Sequence, residues 1–379
     1  MRILILIYIV ISALNPNFSF AEQSQPWQRF HDEKSELYGF RDLDHQVKIT
    51  PKFIMVDAYE FNNIIAVIEQ VGKEGYQSYY LLKNGKKIGI ENLYMHGNYL
   101  DCECEGKIRF RDKRLDKVGF FDKNGQVVIP AVYSDAEPFR NNMAMVLMGA
   151  QRLCPDGEKY SFKKRNCEHF QWDGGRSYVI NTKNEILIND FNHTRDIDWF
   201  SLEITEKEKD NPLRETFKGT NGEYYSFINF KKEFTQWLVS LFFPADDVDS
   251  LKANTFEKII FWDDDKKLWS EVGKDLFFKK NSQAILKIIK GLKSSTLKFE
   301  IHNNPLGVRI SSFANDLKSK YYDSCGNYKN WIHPLFDLVI THHSKKEGKK
   351  FLYQDIFKFL KTDNGYKLME MSLRSAELK

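Results

Sequence analysis

The sequence predicts a mostly β N-terminal array of stacked hairpin repeats, followed by a C-terminal α+β domain. Three observations predict this: residues that recur in order with a step near 80 and again near 40, Asn-Gly turn signals between β-branched and aromatic stretches, and a change to helical spacing in the second half.

At the N-terminus, Arg2 precedes an apolar run from Ile3 to Leu14, and Ala21 follows with Ser19 two places before it. That order of charged, apolar and small residues is the pattern of an export signal over 1–21, cut after Ala21. The apolar run is about 12 residues, whereas a bilayer span needs roughly 20. Cleavage leaves roughly 358 residues, a length that suits about two domains. No later stretch is apolar enough to cross a bilayer, so no stable membrane insertion is expected after cleavage, and the expected location is periplasmic or secreted. A charged fraction of 28% and an aromatic fraction of 15% fit a folded chain. The net charge of +4 is spread with both signs interspersed, and no stripe of Lys and Arg argues for nucleic acid.

The repeat comes next. Gly39, Phe40, Val47, Ile49 and Phe53 recur 80 residues later as Gly119, Phe120, Val127, Ile129 and Tyr133. Asp57, Ala58, Phe61 and Ala66 recur 78 residues later as Asp135, Ala136, Phe139 and Ala144, which implies a loop two residues longer in the first copy. Asn84 and Gly85 lie 40 before Asn124 and Gly125 and mark a further copy between these two. A fourth, weaker copy runs from Tyr178 to Ile188 after an insertion at 149–176. Each unit reads as strand, tight turn and strand. Asn-Gly is a strong hairpin signal, and a two-residue type I′ turn with positive φ at both central positions is expected there. Pro130 is expected to end its strand because proline cannot donate to a ladder. A lone hairpin is marginal in water, so successive copies are expected to bury their apolar faces against one another over 37–205.

The string from Val118 to Pro130, followed by Tyr133, Asp135, Ala136, Phe139 and Ala144, resembles one unit of the bacterial WG-repeat (tryptophan-glycine) family. Tyr38, Gly39 and Phe40 with Ile49, Pro51, Phe53, Asp57, Ala58 and Phe61 resemble another, with Tyr38 and Val118 at the signature tryptophan position. The resemblance implies a β-rich repeat scaffold, with no common catalytic residue.

Five cysteines occur, and in an exported chain an even set reads as disulfides with the odd one left as a thiol. Cys154 and Cys167 bracket the insertion with Pro155, Asp156 and Gly157 as a turn between them, and a bridge there is expected. Cys102 and Cys104 are the other disulfide candidates, and Cys325 is expected as a buried or leftover thiol. A tetrahedral metal site from Cys102, Cys104, Cys154 and Cys167, or with His169, is the competing reading. The Cys-Glu-Cys spacing counts against it, and no metal or other cofactor is expected.

After residue 205 the pattern changes. The stretch 206–222 reads as a linker and 223–379 as the α+β domain. Phe230, Phe234, Trp237, Leu238 and Leu241 stand at helical spacing, as do Ile285, Ile288 and Ile289 after Ser282 as a candidate cap. Lys350 to Leu360 and Tyr366 to Leu373 flank Asp363, Asn364 and Gly365 as a closing hairpin, which bears a motif-free resemblance to cone-shaped folds of the nuclear-transport-factor-two type. Asp263 to Asp265, His302, His333 and the pair His342 and His343 are the clusters worth testing for chemistry. Adjacent residues on a strand point to opposite faces, so the last pair is ill placed to share an ion.

The expected function is a non-catalytic binding or scaffold protein of the cell envelope, whose repeats present a surface to a protein or glycan partner. Tyr79, Tyr80, Tyr94, Tyr99 and Tyr133 are candidate aromatic anchors, with packing between hairpins the plainer role for most of them. The alternative is a ligand-binding or hydrolase-like C-terminal domain with the repeats as its docking arm. A filled C-terminal core favours the first reading, and a polar pocket there favours the second.

Overall fold

The computed structural model describes residues 25–162, 167, 169–192, 196–263, 268–304, 318–343 and 351–374. The expected export signal at 1–21, part of the insertion, and Asp264 and Asp265 lie outside them. The chain is mostly β, with many small antiparallel sheets in the N-terminal region and helices in the C-terminal one.

The first unit is a meander of Trp27–Asp32, Leu37–Arg41 and Val47–Met55, and the third is a meander of Lys107–Asp112, Lys117–Asp122 and Val127–Tyr133. Their registers coincide. Phe30 faces Gly39, Tyr38 faces Phe53 and Phe40 faces Ile49 in one, and Phe110 faces Gly119, Val118 faces Tyr133 and Phe120 faces Ile129 in the other. The array thus starts at Trp27, ahead of the expected residue 37. The second unit is Ile64–Val71, Gly75–Leu82 and Lys87–Ile88, and the fourth is Met143–Met148, Arg176–Asn181 and Ile186–Ile188, with the insertion leaving between its first two strands. The stretch 206–222 is not all linker: Arg214–Lys218 pairs with Tyr224–Ile228, which also takes Glu203–Thr205, and this last sheet covers the fourth unit.

The turns differ from the expected type I′. In the third unit the Gly125 N–H donates to the Asp122 carbonyl and the Asp122 N–H to the Gln126 carbonyl, and only Gly125 of the turn has positive φ, at 77°. The same bonds recur at Asp42, Leu82, Asn181 and Gly219. This is a three-residue loop, a type I turn closed by a left-handed residue, and it needs one residue tolerant of positive φ instead of two. Histidine and asparagine fill that place in the first and fourth units, as His45 and Asn184. Pro130 does not end its strand either. It sits in a bulge between Ile129 and Tyr133, where no ladder donor is required. The bulge brings the strand so close to Gly119 that a Cβ there would lie 2.5 Å from the Ile129 carbonyl oxygen and 2.8 Å from the Ala131 nitrogen, and Gly39 is equally confined, 2.6 Å from the Ile49 oxygen. Close backbone approach is therefore the physical reason for this glycine in both units.

Period-two alternation does the stacking. Tyr79 joins the core shared with Phe40, Phe53 and Phe61, while its neighbour Tyr80 joins the next core with Ile64, Ile108 and Phe121. Phe120 enters a third core with Tyr133, Phe139 and Ile180, and Val179 a fourth with Trp199 and Phe227. Edge-to-face ring pairs recur at equivalent places, Phe40 on Phe61 at 5.4 Å and Phe120 on Phe139 at 4.9 Å.

In the C-terminal part, α1 (Phe230–Trp237), α2 (Val248–Ala253) and α3 (Lys274–Lys293) pack on a six-stranded sheet. Asn229 caps α1 by accepting from the Lys232 N–H. A π turn over Leu238–Phe242 follows, shifting the phase by one residue, so Phe242 is buried and Leu241 is not. Helix α3 starts well before Ser282, at Lys274 after the cap Gly273, and adds Phe277 and Phe278 to the buried face with Ile285, Ile288 and Ile289. The long pair Phe351–Thr362 and Gly365–Ser372 forms the expected closing hairpin. The core between helices and sheet is filled, with Phe234 stacked on Phe336 at 4.7 Å and Trp237 against Phe359 and Tyr366.

Two outcomes follow from this packing. Gly119→Ala is expected to destabilise the chain by about 3 kcal/mol, since only backbone can yield, whereas the exposed Val127→Ala costs less than about 1 kcal/mol; urea unfolding midpoints measure both. Burial holds the His333 pKa below its ordinary 6.5, while its Nδ1–H donates to the Lys361 carbonyl and Lys320, Lys329 and Asp363 lie around it. The unfolded chain therefore takes up the proton first as pH falls. Stability contributed by neutral His333 is present above about pH 6.5 and declines below it, and His333→Asn flattens that decline in midpoints recorded between about pH 7 and pH 5.

Candidate functional site

Three separate segments meet at one face of the array: the hairpin Met95–His96 with Tyr99–Leu100, the turn from Glu137 to Met143, and the loop from Asp323 to Trp331. The loop is fastened to the repeats twice. Cys102 is disulfide-bonded to Cys325 with 6.2 Å between their Cα atoms, and the Ser324 carbonyl accepts from the N–H groups of Tyr59 and Glu60 at 2.7 and 3.3 Å. Between the segments lies a cleft of about 410 Å³.

Its floor is an ion pair. Arg109 lies on the first strand of the third unit and is buried, and its Nε and Nη2 donate to the two oxygens of Asp101 at 3.1 and 2.5 Å, while Nη1 donates to the Ala136 carbonyl at 2.7 Å. Burial alone pulls the Arg109 pKa down; the Asp101 charge, Tyr94 and the hydrogen bonds more than reverse this and raise it. Tyr94 lies over the guanidinium at 4.1 Å. Burial also raises the Asp135 pKa against the pull of Arg111. Such pairs are strongly interdependent, because removing one partner leaves a buried charge behind.

The wall is Arg140, held in place by the turn it opens. Its N–H and carbonyl exchange bonds with Met143, and the Glu105 carboxylate accepts from the Asn141 and Asn142 N–H groups at 2.6 and 2.8 Å, both residues having positive φ. The guanidinium carbon stands 4.1 Å over the Trp331 ring. Beside it, the Cys104 thiol donates to the Phe139 carbonyl at 3.0 Å, and burial pushes its pKa up to about 11. Glu103 accepts from the Asn63 amide and from the N–H groups of Asn63 and Ile64, and Asp323 from the N–H groups of Cys325 and Asn327. The lining thus combines fixed cations, planar rings, the exposed Glu137, and acids such as Asp101, Glu103 and Asp323 that are engaged in structural bonds. Such a surface can hold a polar ligand.

The expected site residues fall as follows. Tyr79, Tyr80, Tyr94 and Tyr133 are buried between hairpins, and Tyr99 is 68% exposed at the cleft. Cys154 and Cys167 are bonded to each other. The pairing of Cys102 differs from the expectation: its partner is Cys325, and Cys104 is the free thiol. Cys325 was the expected leftover thiol, but the fold brings the 323–331 loop onto Cys102 across a separation of 223 residues. These two bridges take three of the four thiols of the competing metal site and leave only Cys104. His342 bonds to Asp355 at 2.9 Å and stacks on Tyr353, and His302 meets Glu300 at 3.2 Å on the surface. Among the described residues, no group of three or more His, Cys, Asp or Glu could hold a metal ion. Sequence reasoning missed Arg109, though the recurrence of Arg29 and Phe30 as Arg109 and Phe110 carried a signal. It also missed Arg140 and Trp331, which come from distant segments and carry none.

Thiol chemistry tests this arrangement. The unreduced chain is expected to expose one reactive thiol in denaturant and to react far more slowly when folded, as counted with a chromogenic disulfide reagent. Cys325→Ser is expected to lower stability by about 2–5 kcal/mol.

No curated protein and no solved structure matches the chain. The family model described as "WG containing repeat" matches residues 119–150. That span opens at the confined Gly119, passes through the bulge at Pro130 and closes on the first strand of the fourth unit. The chain therefore carries a WG-containing repeat, in the segment whose glycine, turn and edge-to-face phenylalanine pair have just been described.

Proposed function

We propose that this chain is a non-catalytic binding protein of the bacterial cell envelope, exported by its N-terminal signal, and that its repeats present the cleft beside Tyr99 to a partner. The domain division is read as a repeat array ending near residue 228 and an α+β domain after it. The observation that carries the proposal is the make-up of the cleft: most of its lining comes from the repeats and the turns between them, while the C-terminal core between helices and sheet is packed with aromatic side chains. Stacked units favour such a use because they expose a long outer surface without needing a polar interior. Two disulfides suit an oxidising compartment. Among the described residues no helix is long and apolar enough to cross a membrane.

The test is retention of envelope material, separated into polysaccharide and protein fractions, on the immobilised full chain. Saturable retention of chemically unaltered material, weakened about tenfold or more by Tyr99→Ala, is the expected result. Equal retention by Tyr99→Ala, or recovery of cleaved material, counts against the proposal.

A further inference from the structure

The cleft contains a cation that no carboxylate meets by a hydrogen bond. Arg109 and Arg111, on one strand, and Arg152 each reach a carboxylate: Asp101, Asp116 with Asp135, and Asp116 respectively. Arg140 lines the same cleft, yet its side chain makes no hydrogen bond and no ion pair with any described residue, and its Nε is buried without a partner. Burial lowers its pKa, but an arginine stays charged in any protein setting. Arg140 as a whole is half-buried, but a buried guanidinium N–H with no acceptor is costly unless something else takes its hydrogen bond.

The acids of the cleft do not fill that role. Asp101 is taken by Arg109, Glu103 by the Asn63 side chain and backbone, and Asp323 by the backbone of its own turn. Glu137 is exposed and bonds to Arg140 through nothing more than charge. The turn that holds Arg140 is itself fixed by Glu105, by Asn141 donating to the Trp199 carbonyl at 2.7 Å, and by the disulfide-tied loop that carries Trp331. The guanidinium is thus preorganised, and preorganisation of a binding group reduces the ordering cost of binding.

Resting on the binding reading above, we infer that Arg140 and Trp331 form a subsite for a carboxylated sugar unit, with the guanidinium taking the carboxylate and the rings and amides taking the rest of the sugar. Arginine presents two parallel donors that match a carboxylate. Around it stand Tyr99, His96 and Asn330, a phenol, an imidazole and an amide suited to sugar hydroxyls and to one flat sugar face. The volume of about 410 Å³ lies in the range of small-ligand sites.

The experiment is calorimetric titration of the full chain with tetragalacturonate, its methyl-esterified and therefore neutral form, and alanyl-alanine, at low salt near neutral pH. Tetragalacturonate is expected to bind at least tenfold more tightly than the ester. Arg140→Met is expected to weaken it by about ten- to a hundredfold at an unchanged unfolding midpoint. Glu137→Gln, which removes a like charge from the cleft and leaves the guanidinium in place, is expected to tighten it about two- to fivefold. Equal binding of acid and ester, or equal binding by Arg140→Met, overturns the subsite. Stronger binding of the dipeptide than of the uronate overturns its assignment to a sugar. Retention of envelope material that survives Arg140→Met but not Tyr99→Ala overturns the subsite alone. Retention of nothing by the native chain, with no response to any of the three probes, overturns the binding reading with it.

Discussion

A three-stranded meander has two faces, and in this chain both are oily. That constraint shapes the array. Adjacent residues such as Tyr79 and Tyr80, or Val179 and Ile180, enter different cores, so each unit is shielded only when another lies on either side of it. No unit is self-sufficient, and the ends must be closed by something else. At one end the sheet of Glu203–Thr205, Arg214–Lys218 and Tyr224–Ile228 covers the fourth unit. Cys325 of the tied loop packs into the core between the first two units. The C-terminal part thus adds to a core of the array as well as folding around one of its own.

Much of the array was legible because its constraints are local. A glycine with no room for a Cβ, a turn with one left-handed residue, and a phenylalanine pair across a short span each mark a fixed offset in the chain, and such offsets survive even where the residues change. What escaped was geometry of the second order. The dipeptide Asn-Gly serves two turn types, and only the ladder register separates them. Pro130 is excluded from a regular strand but welcome in a bulge, and the bulge is visible only beside Gly119. The π turn after α1 moved the buried position from Leu241 to Phe242 by one step, which periodicity alone does not foresee.

The cleft was less legible than the fold. Tyr99 stood among five candidate tyrosines, and burial, which no pattern of aromatics reveals, set it apart from the other four. Arg140 and Trp331 are far apart in sequence and meet because the loop at 323–331 is fastened to the repeats. Long-range partners of this kind leave no spacing to read, and the same holds for the Cys102 and Cys325 bridge. Site and tie are in this sense one feature, since the bond that places the loop also places the ring facing the guanidinium.

That covalent tie has a topological consequence. Joining residues 102 and 325 encloses the strands of the third and fourth units and most of the C-terminal part within a single covalent ring. A proteolytic nick in a surface loop inside the ring opens the backbone without setting any piece adrift, because both ends remain anchored through sulfur. A molecule built this way keeps its parts together long after its chain has first been cut, until a reductant reaches the bridge.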